Sequence, residues 1–210
     1  MNTIFAGQPV KDFVQDLNSA KPMPGGGSAA AVCGAMGAAL AGMSAHMTVG
    51  RKKYAEVEDV MQDIIRETAA LQQDMLDFAQ DDAEMYSLVL QAYKLPRSTE
   101  KESALRKAAI EEASKTAVNA SLKVTEACVK ILKLALTVVV QGNRMLVTDG
   151  AASALLSRAC QQVASYNVRI NLGGVADTAF KAEAGQALRR QLAEGKRLEE
   201  TVLKEVERRL

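Results

Sequence analysis

Apolar residues recur along most of this chain at steps of three and four rather than two, the period of helices that bury one face. One run reads Val57, Met61, Ile64, Thr68, Leu71, Met75, Phe78, Asp82, Met85, Val89, inside a helix predicted over 54–94. A second reads Ile110, Ala113, Ala117, Ala120, Val124, Ala127, Ile131, Leu134, Val138, in a helix that follows Pro96 with Ser98 or Thr99 as its cap. At a rise of ~1.5 Å per residue each is on the order of 60 Å long, so the two are expected to lie side by side. Shorter helices are expected over 9–20, over 28–50 with Ser28 as N-cap, over 150–172 with Asp149 as N-cap, and over 177–210. In the last of these, Lys and Arg lie among Glu at helical spacing, the mark of a solvated face. The fold class is all-α: an elongated antiparallel helical bundle of about five to six helices, one domain over 1–210.

The helix over 28–50 has no charged residue between positions 29 and 49, enough to span a bilayer by length. Its strongly apolar aliphatics are only Val32, Leu40 and Val49, too few for good insertion, so a buried core helix is expected and no membrane partner. Small residues at Ala30, Gly34, Ala38 and Gly42 form a ridge that lets another backbone approach, from this chain or across a dimer seam.

Composition narrows the function. Lys and Arg number 26 against 25 Asp and Glu, which disfavours nucleic acid as a partner. The three cysteines, Cys33, Cys128 and Cys160, are far apart and odd in number, and read as thiols of a reducing cytosol. Residues 1–10 lack the pattern of a secretory leader, so the expected location is cytoplasmic. With His46 the single histidine, no metal site is expected.

Local features carry the candidate chemistry. Pro22-Met23-Pro24-Gly25-Gly26-Gly27-Ser28 reads either as a tight connection or as a loop whose backbone N–H groups face a ligand. Its fit to a dinucleotide fingerprint is discarded, because no strand precedes it. Arg51, Lys52 and Lys53 sit at a helix junction, where positive charge offsets the carbonyl end of the preceding helix. Asp82 interrupts an apolar stripe and must be paired, hydrogen-bonded or protonated if buried. Asp81 is expected to point to solvent. Asn167 falls on the stripe Leu156, Cys160, Val163, Asn167, Ile170, where a buried amide most often serves structure.

Together the segments 22–28, 50–54, Asp82 with Tyr86, Gly142-Asn143 through Asp149, 167–172 and Asp177 resemble the cyclodeaminase domain of formiminotransferase-cyclodeaminase and the stand-alone methenyltetrahydrofolate cyclohydrolases of that family. Thr148 departs from the serine common there and keeps its hydroxyl. The resemblance implies a homodimeric all-helical enzyme acting on a tetrahydrofolate derivative, with no cofactor beyond that substrate. It implies cyclodeamination of 5-formimino-tetrahydrofolate, hydrolysis of 5,10-methenyl-tetrahydrofolate, or both. On that reading Asp82 transfers the proton, and Asp149 stabilises the cationic carbon or binds the pterin amino group, or the two carboxylates exchange these roles. Gly25, Gly26, Gly27 and Ser28 offer backbone donors, Lys52 and Lys53 with Arg51 hold the glutamate tail, and Asn143 and Asn167 position the pterin or a loop. The rival expectation is a dimeric helical bundle that catalyses nothing.

Overall fold

The computed structural model describes residues 7–210. Among them the chain forms α1 (Val10–Leu17), α2 (Gly26–His46), α3 (Glu58–Lys94), α4 (Glu100–Gln141), α5 (Val147–Asn171) and α6 (Thr178–Arg209), and no strand. Short 3-10 turns at Lys52–Val57, Arg144–Leu146 and Leu172–Gly174 join them. The long helices α3 and α4, of 37 and 42 residues, lie against one another as their stripes predict. Thr99 caps α4 in a full capping box, its hydroxyl accepting from the Glu102 N–H while the Glu102 carboxylate accepts from the Thr99 N–H. Asp177 caps α6 by accepting from the Phe180 N–H.

Two caps differ from expectation. α2 begins at Gly26 with Gly25 as N-cap, so Ser28 lies inside the first turn and its hydroxyl is free for another use. α5 begins at Val147 behind the turn Arg144–Leu146, which leaves Asp149 in the first turn, where its charge faces the positive end of the helix rather than capping it.

The core explains the wealth of alanine. α2 packs on α3 and α5, and α5 packs on α4, while α6 covers α4 and α5. One core joins Ala30, Ala35, Ala38, Leu71, Met75, Val124, Ile131, Cys160 and Ala164; another joins Leu132, Val139, Val147, Ala154, Leu198 and Val202. The ridge Ala30, Gly34, Ala38, Gly42 is consumed inside the chain rather than in a dimer seam. Gly34 stands against Cys160 and Met75, and Gly42 against Thr68. α2 remains the one helix among the described residues long and apolar enough to cross a membrane; most of it is buried against its neighbours.

Candidate active site

A cavity of about 530 Å³ opens at the end of the bundle where α2 begins and α5 ends. Its origin is legible in side-chain size. The α3 stripe is buried through Met75 and Ala79, but beyond that point it faces Ser114, Ala117, Ala120 and Ser121 of α4. These residues are too short to fill the gap, so Phe78, Asp82, Met85, Tyr86, Val89 and Tyr93 line a space instead of closing it. The volume suits a small organic ligand.

Asp82 sits at the inner end of this space, on the N-terminus of α2. The Ser28 hydroxyl donates to Asp82 Oδ2 at 3.3 Å, and the Ser28 backbone N–H donates to the same carboxylate. Asp82 therefore does for α2 what the side chain of an N-cap residue does elsewhere, from a helix far along the sequence. The approach is close because position 27 is glycine: a Cβ there would overlap the Asp82 carboxylate. Burial pushes the Asp82 carboxyl above its ordinary value, and the two hydrogen bonds from Ser28 pull against that shift without cancelling it. The result is a half-buried carboxyl group whose proton is held more tightly than in water.

Gly25, Gly26 and Gly27 line the cavity, and nothing would lie within 4 Å of a Cβ on Gly25 or Gly26, so the loop presents bare backbone to the space. Asn167 lines the opposite wall from α5. Its backbone carbonyl accepts from Asn171 Nδ2 at 2.9 Å, and its own half-buried amide has no partner among the described residues. Asp81, expected in solvent, also lines the cavity at its mouth. Desolvation raises its carboxyl first, with Glu84 and Asp77 adding to the shift and Lys123 opposing it. Tyr86, quoted with Asp82 in the family resemblance, lines the cavity, as do Asp81, Tyr93 and Ser121, to which sequence reasoning gave no role. The signal was present in α3, since steps of three and four from Asp82 reach Met85, Tyr86, Val89 and Tyr93.

The remaining candidates lie elsewhere. Arg51, Lys52 and Lys53 are exposed beyond the C-terminus of α2, on the order of 30 Å from the glycine loop along that helix. Asn143 is at the same far end. Its N–H donates to Thr48 Oγ1 at 2.9 Å, its Nδ2 to the Met47 carbonyl at 3.3 Å, and its Oδ1 accepts from the Met145 N–H, so the amide ties two turns together. Asp149 and Asn167 stand near opposite ends of α5 and do not meet. One chain thus unites Gly25–Gly27, Ser28, Asp82 and Asn167, and separates them from Arg51, Lys52, Lys53, Asn143 and Asp149. Among the described residues no cluster of His, Cys, Asp and Glu could hold a metal ion.

Comparison with known proteins places this architecture. The chain is 37% identical over 199 residues to the methenyltetrahydrofolate cyclohydrolase of Methylorubrum extorquens, spanning 95% of this chain and 96% of that one. It is 32% identical to the formimidoyltransferase-cyclodeaminase of Sus scrofa over 96% of this chain, though it spans only 37% of that longer protein. The crystal structure of formiminotetrahydrofolate cyclodeaminase from Thermotoga maritima matches with a TM-score of 0.87 at 30% identity, over 96% of this chain and 97% of that one. The family model described as formiminotransferase-cyclodeaminase matches residues 9–190, and the chain belongs to that family.

Proposed function

We propose that this chain is a folate one-carbon enzyme that works on the N–C–N bridge of a tetrahydrofolate derivative. It hydrolyses 5,10-methenyl-tetrahydrofolate to the 10-formyl compound, closes 5-formimino-tetrahydrofolate to the methenyl compound with loss of ammonia, or does both. Its likeness to a cyclohydrolase of nearly the same length and to a cyclodeaminase of the same fold supports the substrate class. The observation that carries the reading is Asp82, a half-buried carboxyl held on a helix N-terminus inside a cavity whose other charged lining residue is Asp81, at the mouth.

Both reactions pass through a tetrahedral carbon bonded to the pterin and anilinic nitrogens, which also carries a hydroxyl in hydrolysis and the departing amino group in cyclodeamination. In hydrolysis, water adds to the bridge carbon and loses a proton to a base; the pterin nitrogen then takes a proton as its bond to that carbon breaks. In cyclodeamination, the anilinic nitrogen adds and loses a proton, and ammonia leaves after gaining one. A carboxyl with a raised pKa can accept the first proton and return the second. Asp82 fills that role, worth ~10²- to 10⁴-fold in rate for a positioned group. The methenyl bridge is itself cationic, so Asp81 at the mouth adds a favourable field while the unpaired Asn167 amide is left to hydrogen-bond the pterin. No cofactor beyond the substrate is needed for this chemistry, and three unbridged thiols suit a cytosolic setting.

The test follows methenyl-tetrahydrofolate absorbance with wild type and Asp82→Asn, starting from the methenyl substrate in one cuvette and the formimino substrate in another. Accelerated decay in the first identifies a cyclohydrolase, and signal growth with ammonia in the second a cyclodeaminase. No change in either overturns the reading and leaves the non-catalytic bundle.

A further inference from the structure

Six serines are buried among the described residues, and five of them donate a side-chain hydrogen bond: Ser28 to Asp82, Ser44 to the Leu40 carbonyl, Ser153 to the Gly37 carbonyl, Ser157 to the Ser153 carbonyl and Ser165 to the Gln162 carbonyl. Ser114 is the exception. It is 2% exposed and lines the cavity from α4, and its hydroxyl has no hydrogen-bond partner among the described residues. A helical serine can turn back to the carbonyl one turn earlier, as Ser121 does to that of Ala117 at 2.9 Å. A buried hydroxyl that does not do so calls for a partner from the cavity.

Its surroundings keep the hydroxyl open. Gly174, which also lines the cavity, stands against it, and a Cβ there would overlap the Ser114 oxygen. The segment that carries Gly174 is fastened to α4 on either side of Ser114. The Asp177 N–H donates to Glu111 Oε1 at 3.2 Å, and Lys115 Nζ donates to Asp177 Oδ2 at 3.0 Å. The stretch of α4 that presents the hydroxyl therefore also holds the bare glycine opposite it.

Depth along the bundle brings Ser114 close to Asp82. Arg106 donates twice to the Tyr93 carbonyl, at 3.1 and 3.0 Å, which sets the antiparallel register of α4 on α3 near the cavity mouth. Equal steps inward from that pair set Ser114 across from Met85, about one helical turn toward the mouth from Asp82. The next α4 residues along the wall, Ala117 and Ala120, carry no polar side-chain atom, and the Ser121 hydroxyl is engaged with its own helix.

We propose that Ser114 is a second catalytic residue, whose hydroxyl holds the water that attacks the bridge carbon of methenyl-tetrahydrofolate. This rests on the substrate reading above and deepens it. An ordered water needs at least two polar partners. Asp82 is one, and the free Ser114 hydroxyl is the other. With the glutamate tail toward the mouth, the anilinic nitrogen lies on the mouth side of the bridge carbon, where Ser114 stands. The water donates one hydrogen bond to the Asp82 carboxylate and one to Ser114 Oγ, which leaves a lone pair for the carbon. As the C–O bond forms, one water proton passes to Asp82. The bond from the carbon to the pterin nitrogen then breaks while that nitrogen takes the proton from Asp82. The remaining hydroxyl proton passes to the freed Asp82 carboxylate and on to solvent. The new formyl oxygen, on the carbon still bonded to the anilinic nitrogen, accepts from the Ser114 O–H.

Ser114→Ala tests the assignment with methenyl-tetrahydrofolate as substrate. Hydrolysis should lose about tenfold or more in kcat, with KM within about twofold of wild type. The melting temperature should stay level or rise, because alanine removes a buried hydroxyl that bonds to nothing and favours the helix. Wild-type kcat overturns the inference; so does turnover lost together with stability, which would give the hydroxyl to the fold. Gly174→Ala reads the same site from the other side. Its Cβ displaces the Ser114 oxygen, so kcat should fall, and the double variant should be no slower than Ser114→Ala alone. Additive losses would separate the two residues and overturn the shared water site. A wild type that closes formimino-tetrahydrofolate but leaves the methenyl compound unhydrolysed overturns the inference while the substrate reading stands. A wild type that turns over neither folate sinks the substrate reading itself.

Discussion

A methyl group on Gly27 would occupy the space of the Asp82 carboxylate, which makes Gly27→Ala a probe of the site from the side opposite the substrate. Asp82 would have to swing away from Ser28, leaving the Ser28 N–H of α2 without its acceptor. The expected cost is about 1–3 kcal/mol in urea denaturation, with at least ~10²-fold lost from kcat/KM. Retained activity would show that the carboxylate acts from a different position. Asp82 also makes stability depend on pH. Because burial holds its carboxyl above the ordinary value, the folded chain binds this proton more readily than the unfolded chain. Stability conferred by that difference is present at low pH and lost as pH rises through the raised value. Asp82→Asn should therefore melt above wild type at pH 7, with the gap closing as the pH falls to the ordinary carboxylate range. A variant that melts below wild type at pH 7 would mean that the charge at the α2 terminus outweighs the cost of burying it. For the same reason the acid limb of kcat/KM in wild type should lie above the range of a solvated carboxylate.

Between elements, the distance from α2 to α5 is set by Gly37. A Cβ there would overlap the Ser157 hydroxyl and crowd the Ser153 carbonyl, while the Ser153 hydroxyl donates to the Gly37 carbonyl at 2.7 Å. Gly37→Ala should cost roughly 1–3 kcal/mol despite the helix propensity it gains, measured by urea unfolding, since the obstruction includes backbone. The elements themselves were legible in sequence: steps of three and four located α3 and α4, and Thr99 and Asp177 announced their helix starts through short-range hydrogen bonds. What escaped was non-local. The start of α2 at Gly26 has no capping side chain in its own segment because the acceptor comes from Asp82 on α3, so a reading that looks only at neighbours assigns the cap to Ser28. Asp82 and Asn167 could be singled out because each breaks an apolar stripe. Asp81 could not, because its place at the cavity mouth depends on the small residues that α4 sets opposite α3. The helix predicted over 28–50 already set the glycine loop and the Arg51 cluster at its opposite ends, although the family resemblance grouped both with one substrate.

At the scale of the molecule, the two ends of α2 should respond differently to salt. Asp82 is half-buried and held at short range by hydrogen bonds from Ser28, where salt screens less than it does in open solvent. Arg51, Lys52 and Lys53 project into solvent, where a Debye length of roughly 8 Å at physiological ionic strength weakens any hold on a carboxylate tail. Raising salt from 0.05 to about 0.5 M should therefore raise KM for a triglutamyl folate several-fold and leave kcat nearly unchanged. The monoglutamate, with fewer charges to place, should show a weaker dependence. The apolar faces of α2 and α5 predict the opposite trend for assembly, because burial of Met36, Met43 and Ile170 is strengthened rather than screened by a salting-out anion such as sulfate. A thermal midpoint that rises with protein concentration, and rises further in sulfate while KM for the triglutamyl substrate worsens, would separate the two forces that the fold places at its surface. A KM insensitive to salt would remove the exposed cations from substrate binding and return Arg51, Lys52 and Lys53 to a local role at the end of α2.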